Sequence, residues 1–160
     1  LMRDFGCVQS PINAYMLNLG LESLHVRMAR HCENGQAVAE FLASHPKIAY
    51  VNYCGLPGDK YHAVAEKYLP NGSCGVVSFG VKGGREAAAA FMGHLKIAAI
   101  ETHVADARTC CLHPASSTHR QMNDEQLIAA GVQPDLVRMS CGLEDKNDLI
   151  HDIAQALDQI

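Results

Sequence analysis

The chain has 160 residues, 48% apolar and 19% charged, a length and balance that fit one domain able to bury its own core and that exclude disorder. Its net charge is −4, with thirteen basic residues scattered and no basic run, which excludes charge-driven binding to nucleic acid or to an anionic membrane. No apolar stretch approaches the ~18 residues of a bilayer span, and Arg3-Asp4 are followed by no apolar core of a signal peptide.

Taken in chain order, Ser10-Pro11 predicts a helix start, since serine can cap free amides and proline tolerates the first turn. Ile12, Tyr15, Met16 and Leu19 keep helical spacing, and Gly20 marks an expected break. Leu24, Met28, Val38, Phe41 and Leu42 continue a second helix to Ser44, which His45-Pro46 ends. A strand is expected over 47–53, a turn after it, and a short helix over 59–69 closed by Pro70-Asn71-Gly72. "CGVVSFGV" (74–81) reads as a strand, Lys82-Gly83-Gly84 as a turn, and alanine-rich 85–95 as a helix. Strands follow at 97–101 and 108–112, then a capped helix over 123–131 ending on glycine. "DLVRMSC" (135–141) is the last strand, and 144–160 closes the chain as an amphipathic helix with Leu149, Ile150, Ile153 and Leu157 inward. The order α-β-α-β-α-β-β-α-β-α predicts an α+β fold, a layered sheet with helices mainly on one face.

Seven scattered cysteines, an odd number in a chain that needs no cross-links, read as reduced thiols in a cytoplasmic protein. The stretch "CCLHPASSTH" (110–119) invites a zinc reading through Cys110, Cys111, His113 and His119. Adjacent strand residues point to opposite faces, however, and no paired C-x₂₋₄-C spacing exists, so two buried thiols are the better reading and no metal is expected. A cysteine nucleophile with His113 or His119 lacks an oxyanion hole or an activating helix N-terminus. Gly83-Gly84 stands in no phosphate-loop context and reads as a plain turn. Arg138, inside the apolar "DLVRMSCG", is more informative. Alternation places it with Leu136 and Ser140, opposite Val137 and Met139. Such an arginine either snorkels to the surface or presents its fork to a carboxylate.

Three stretches, "SPINAYMLNLGLESLHVRMARHCENGQAVAEFLASHPKIAYVNYCGLP", "HPASSTHRQM" and "LVRMSCGLED", resemble the C-terminal domain of O-acetylhomoserine sulfhydrylases. These belong to the pyridoxal-phosphate enzymes of cysteine and methionine metabolism, with cystathionine γ-synthase, γ-lyase and methionine γ-lyase as relatives. The resemblance runs in order over essentially the whole chain. It implies the small C-terminal domain of a fold-type I enzyme, spanning 1–160, with 1–44 as a helical segment bridging to an N-terminal cofactor-binding domain outside this sequence. The opening on Leu1 rather than Met reads the same way, as a piece of a longer protein.

The resemblance further implies that the cofactor's lysine, in a Ser-x-x-Lys context, belongs to that other domain, since lysines 47, 60, 67, 82, 96 and 146 lie in other contexts. No catalytic or cofactor-binding residue is therefore expected in this chain, which alone should be inactive. Arg138 matches the arginine that grips the substrate's α-carboxylate, and Thr118 a threonine near the same pocket. His113 and Ser116 are expected to shape their loop. "THVADART" (102–109) corresponds to the family's Ala-Asn-Val-Gly-Asp bend, so His103 and Val104 are expected at the substrate site. His103 replaces asparagine there, and Ala105 replaces glycine, which is costly if the position needs φ > 0. The implied reaction joins O-acetylhomoserine and sulfide into homocysteine and acetate, in a homotetramer; the piece alone should self-associate through the face it would bury. A γ-lyase, a cystathionine γ-synthase or a stand-alone non-catalytic binding module are the rival readings.

Overall fold

In the computed structural model, which describes residues 1–160, one turn of helix, α1 (Met2–Phe5), precedes the expected start and is too short to leave a periodic signal. Ser10 then caps α2 (Pro11–Glu22), its Oγ accepting from the Asn13 amide at 3.3 Å. Gly20 does not break this helix. The bend falls at Ser23, where φ −105° and ψ 3° turn the chain into α3 (Leu24–Ser44). A glycine inside a helix costs only about 1 kcal/mol and leaves the hydrogen-bond ladder intact. At the far end α3 stops at His45, extended ahead of Pro46 as proline requires.

The rest alternates as the sequence predicts, with trimmed ends. The elements are β1 (Ile48–Asn52), α4 (His62–Tyr68), β2 (Val76–Val81), α5 (Gly84–His94), β3 (Ala99–Ile100) and β4 (Cys110–Leu112). A 3₁₀ turn (Pro114–Ser116), α6 (Asp124–Ala129), β5 (Leu136–Ser140) and α7 (Lys146–Asp158) complete the chain. Helix α4 starts later than residue 59 because Asp59 Oδ1 accepts from the Tyr61 amide and holds a turn there. Gly83 and Gly84 take φ 105° and 75°, two consecutive left-handed residues that only glycine adopts cheaply, so the pair is the turn into α5. Asn123 and Gln126 cap α6 reciprocally.

The five strands form one sheet in the order β1-β2-β5-β4-β3, antiparallel except for the β3–β4 edge. One face is the core. Val77, Phe79 and Val81 of β2, Val137 and Met139 of β5, and Cys111 of β4 are buried there beneath α3, α5 and α7. Phe79 meets Phe91 edge to face at 5.8 Å, a pair that contributes about 1 kcal/mol beyond its burial. The layered α+β arrangement with helices mainly on one face is the one expected.

Helix α7 buries Leu149, Ile153 and Leu157, while Ile150 is only half-buried. The inward place is shared by Asp152, whose carboxylate accepts from the amides of Lys96, Ile97 and Ala98 at 2.8, 2.9 and 3.1 Å. Helix α3 secures the segment after β5. His31 Nδ1 donates to the Cys141 carbonyl (2.7 Å), and Asn34 Nδ2 donates to the carbonyls of Gly142 and Glu144. Since a carbonyl only accepts, Nδ1 carries the His31 proton.

Candidate functional site

The sheet's second face has no helix layer over its centre, and Arg138 lies in the middle of it. Strand alternation sends Val137 and Met139 into the core and leaves Leu136, Arg138 and Ser140 on this face. Across the ladders Arg138 is flanked by Ser78 of β2 and Leu112 of β4. Its Nη2 donates to the Thr102 carbonyl at 2.8 Å, and its Nε is sealed from water with no acceptor. A guanidinium carries five N–H donors, and leaving a buried one unmatched costs about 1–3 kcal/mol. The side chain is held in place and short of partners. It borders a cavity of about 500 Å³ that Val76, Ser78, Thr102, Thr118 and His119 also line.

The loop carrying Thr118 is built by burial. His113 is 1% exposed: its Nε2 pairs with the Pro134 carbonyl (2.8 Å) and so carries the proton, while Nδ1 faces Ser116 Oγ at 2.9 Å. Burial pushes its pKa below the ordinary value. Arg85, at the start of α5, straps the same loop, Nη1 donating to the Ala115 carbonyl and Nη2 to that of Met122, while Nε and Nη2 hold Asp124. Thr118 sits on the exposed rim, its hydroxyl sharing a hydrogen bond with His119 Nδ1 (2.9 Å) rather than with its own backbone. His113 and Ser116 thus shape the loop, and Thr118 reaches the cavity.

The bend from 102 to 109 closes the other side. Ala105 has φ 60°, the only non-glycine residue in the left-handed region, a strain of about 1–2 kcal/mol. Ser140 holds it there, accepting from the Ala105 amide at 3.0 Å. Further along, Glu144 accepts from the Thr109 amide and hydroxyl (2.6 and 2.8 Å), and Thr109 Oγ1 accepts from the Gly142 amide. Gly142 lies against the 107–109 backbone so closely that a Cβ would overlap it. The bend therefore brings Thr102 to Arg138, but its residues part ways. Val104 lines an adjoining cavity of about 150 Å³ with Ala105 and Ser140, sharing only Val76 with the first. His103 lines neither; its Nδ1 faces Glu101 at 2.9 Å and Asp106 at 3.8 Å.

The zinc set suggested by sequence is not assembled. Cys111 is in the core, His113 is tied to Pro134 and Ser116, and Cys110 emerges on the opposite face. Burial pushes the thiols of Cys110, Cys111 and Cys141 up, Cys141 to about 12, so none is an activated nucleophile. No lysine lines either cavity. Lys47 Nζ donates to the Leu157 and Ile160 carbonyls, Lys82 to Pro46, and Lys146 to Glu33. Lys60 lines a further cavity that shares Ser78 and Leu136 with the one beside Arg138, and in the latter the guanidinium presents an N–H donor with no partner in the chain. Sequence reasoning missed Ser140, Glu144 and Arg85, all of which act across long separations and leave no local pattern.

A sequence model of the family described as Cys/Met metabolism PLP-dependent enzyme matches residues 1–158. The chain is 44% identical over 160 residues to an O-acetyl-L-homoserine sulfhydrylase of Leptospira meyeri, covering 99% of this chain and 36% of that protein. It is 43% identical to a homocysteine synthase of Schizosaccharomyces pombe, covering 98% and 37%. A solved Campylobacter jejuni structure, assigned as an O-acetylhomoserine (thiol)-lyase and containing N'-pyridoxyl-lysine-5'-monophosphate, superposes with a TM-score of 0.87 at 39% identity, over 98% of this chain and 37% of that one. L-methionine γ-lyases match at 39%. The chain spans little more than a third of the length of these relatives.

Proposed function

We propose, for a chain that belongs to the Cys/Met metabolism PLP-dependent enzyme family, that it is the substrate-gripping C-terminal domain of an O-acetylhomoserine sulfhydrylase. The parent reaction would replace the γ-acetoxy group of O-acetylhomoserine with sulfide, giving homocysteine and acetate. Sulfhydrylases and homocysteine synthases among the relatives support that reaction. Pyridoxal phosphate, when bound, supplies the electron sink for chemistry at the amino acid's carbons. Its lysine we assign to the part of the parent outside this sequence, as the family resemblance implies. Lys47, the one lysine here with a serine three residues before it, is engaged by the Leu157 and Ile160 carbonyls; the isolated chain should then be inactive.

The observation that carries the reading is the under-satisfied Arg138. Its Nε lacks an acceptor and only Nη2 is bonded within the chain, so a guanidinium turned toward the cavity has donors left for the two oxygens of an α-carboxylate. The Thr102 carbonyl holds the guanidinium at the cavity, and Thr118 supplies a hydroxyl on the rim. Val104 contributes an apolar wall next door, and His103, one residue from Thr102, acts through the position of the bend. Fixing the carboxylate orients the amino acid for bond cleavage, which is where such a clamp adds rate. Residues 1–44 would bridge to the remainder of the parent. The exposed apolar side chains of α2 support this, and also the expected homotetramer. A γ-lyase activity is the second reading, favoured by the L-methionine γ-lyases among the relatives.

The test is Arg138→Lys in the full-length parent. Lysine keeps the charge but loses the fork, and each charge-assisted hydrogen bond lost is worth about 1.5–3 kcal/mol. The KM for O-acetylhomoserine should rise by roughly ten- to a hundredfold, with folding unchanged by circular dichroism. An unaltered KM would remove Arg138 from the substrate site.

A further inference from the structure

Among the buried thiols, Cys110 alone reaches an acidic side chain, that of Glu101, outside the core. Cys111 points toward the helices, whereas Cys110 emerges beside Ser140 on the face that carries Arg138. There it meets the edge strand. Strand β3 runs parallel to β4 with Ala99 beside Cys110, and the Glu101 amide donates to the Cys111 carbonyl at 3.1 Å. That register brings Cys110 Sγ to 3.8 Å from a Glu101 carboxylate oxygen, and the turn two residues on returns His103 Nδ1 to 2.9 Å from the same oxygen. One ligand atom each from Glu101, His103 and Cys110 lies within 4.8 Å of the other two.

We propose that Glu101, His103 and Cys110 form a site for a divalent cation of the zinc and cobalt class, with its fourth position open to solvent. A thiolate, an imidazole and a carboxylate are the donors this borderline-soft class prefers. Tetrahedral coordination with bonds of about 2.0–2.3 Å sets donor atoms roughly 3.3–3.8 Å apart. The Sγ–carboxylate separation already has that span. The His103 nitrogen must retreat from the carboxylate by about half an ångström and stand roughly 3.5 Å from Sγ, against a present separation of no more than 4.8 Å. A side chain 61% exposed is free to make that swing. Cys110, 2% exposed, fixes the inner corner.

Charge favours the same state. Without a cation, Glu101 and Asp106 share one guanidinium, Arg108, at 3.3 and 3.6 Å, and Cys110 Sγ also lies 3.5 Å from the Arg108 carbonyl. On binding, the Cys110 S–H proton passes to water, and the His103 imidazole carries its proton on Nε2 so that the Nδ1 lone pair is free. Bonds from Sγ, Nδ1 and one carboxylate oxygen leave the cation one of the six waters it holds in solution. The dication is neutralised by thiolate and carboxylate, and Arg108 is left to Asp106. Coordination would also brace Thr102, the residue between two of the ligands, whose carbonyl holds Arg138. This site does not depend on the proposed reaction.

Cobalt(II) is the probe. The reduced full-length protein, stripped with a chelator and titrated anaerobically, should bind one Co²⁺ per chain with a thiolate-to-cobalt charge-transfer band, and Zn²⁺ should displace it. His103→Asn, at an exposed side chain, should weaken binding by at least about tenfold, and Glu101→Gln likewise. Cys110→Ser should abolish the charge-transfer band, while Cys32→Ser and Cys54→Ser, at two half-buried free thiols that line a separate cavity with Tyr53 and His62, leave binding and band unchanged. The proposal is overturned by binding well below one equivalent, by undiminished affinity in His103→Asn, or by a loss that follows Cys32 or Cys54 instead.

Discussion

Arg138 and His113 show how differently two polar residues behave on one small fold. Arg138 is half-buried with a donor unmatched, which the proposed carboxylate would satisfy. His113 is sealed, and both its nitrogens are matched. Burial holds its imidazole below the ordinary pKa of 6.5, so the unfolded chain takes up a proton that the folded one refuses. The stabilisation is therefore complete above about pH 6.5 and shrinks as pH falls through that value toward the folded-state pKa. Unfolding free energy measured in urea at about pH 7.5 and pH 5.5 should drop between the two in the parent chain and drop less in His113→Asn. Equal slopes would assign the pH dependence to other groups.

At the scale of elements, α7 is held by more than its apolar stripe. Asp152 ties it to the turn before β3 by accepting three amide hydrogen bonds. Asp152→Ala would leave those donors unmatched beside the core, one of them on buried Ala98, at a cost of about 3 kcal/mol or more. A shift of the urea midpoint to lower concentration checks this; a shift no larger than that of Asp158→Ala, at the exposed end of the same helix, would reduce Asp152 to a surface residue. That a carboxylate stands between Leu149 and Ile153 was legible in the sequence, though not that it turns inward. Its partners were not, because they are backbone amides some 55 positions away.

For the whole molecule, the telling feature is α2, which buries no residue. Ile12, Tyr15, Met16, Leu17 and Leu19 are each at least half exposed, an apolar surface that water does not tolerate at low cost. The 160-residue chain by itself should self-associate through this helix, and Met16→Glu with Leu19→Glu should disperse it in sedimentation velocity. An unsubstituted 160-residue chain that sediments as a monomer would contradict this.

Periodicity, caps and prolines were enough to read the succession of helices and strands, because those signals lie within a few residues of what they control. Arg138 too was legible, as a charge inside an apolar strand, and the strain at Ala105 was expected from alanine standing where the family has glycine. The position of the bend after Ser23, the straps from Arg85 and Ser140, and the gathering of Glu101, His103 and Cys110 were decided only when distant segments packed. A side chain's own type tells which bonds it needs; the sheet order β1-β2-β5-β4-β3 decides which partner is within reach.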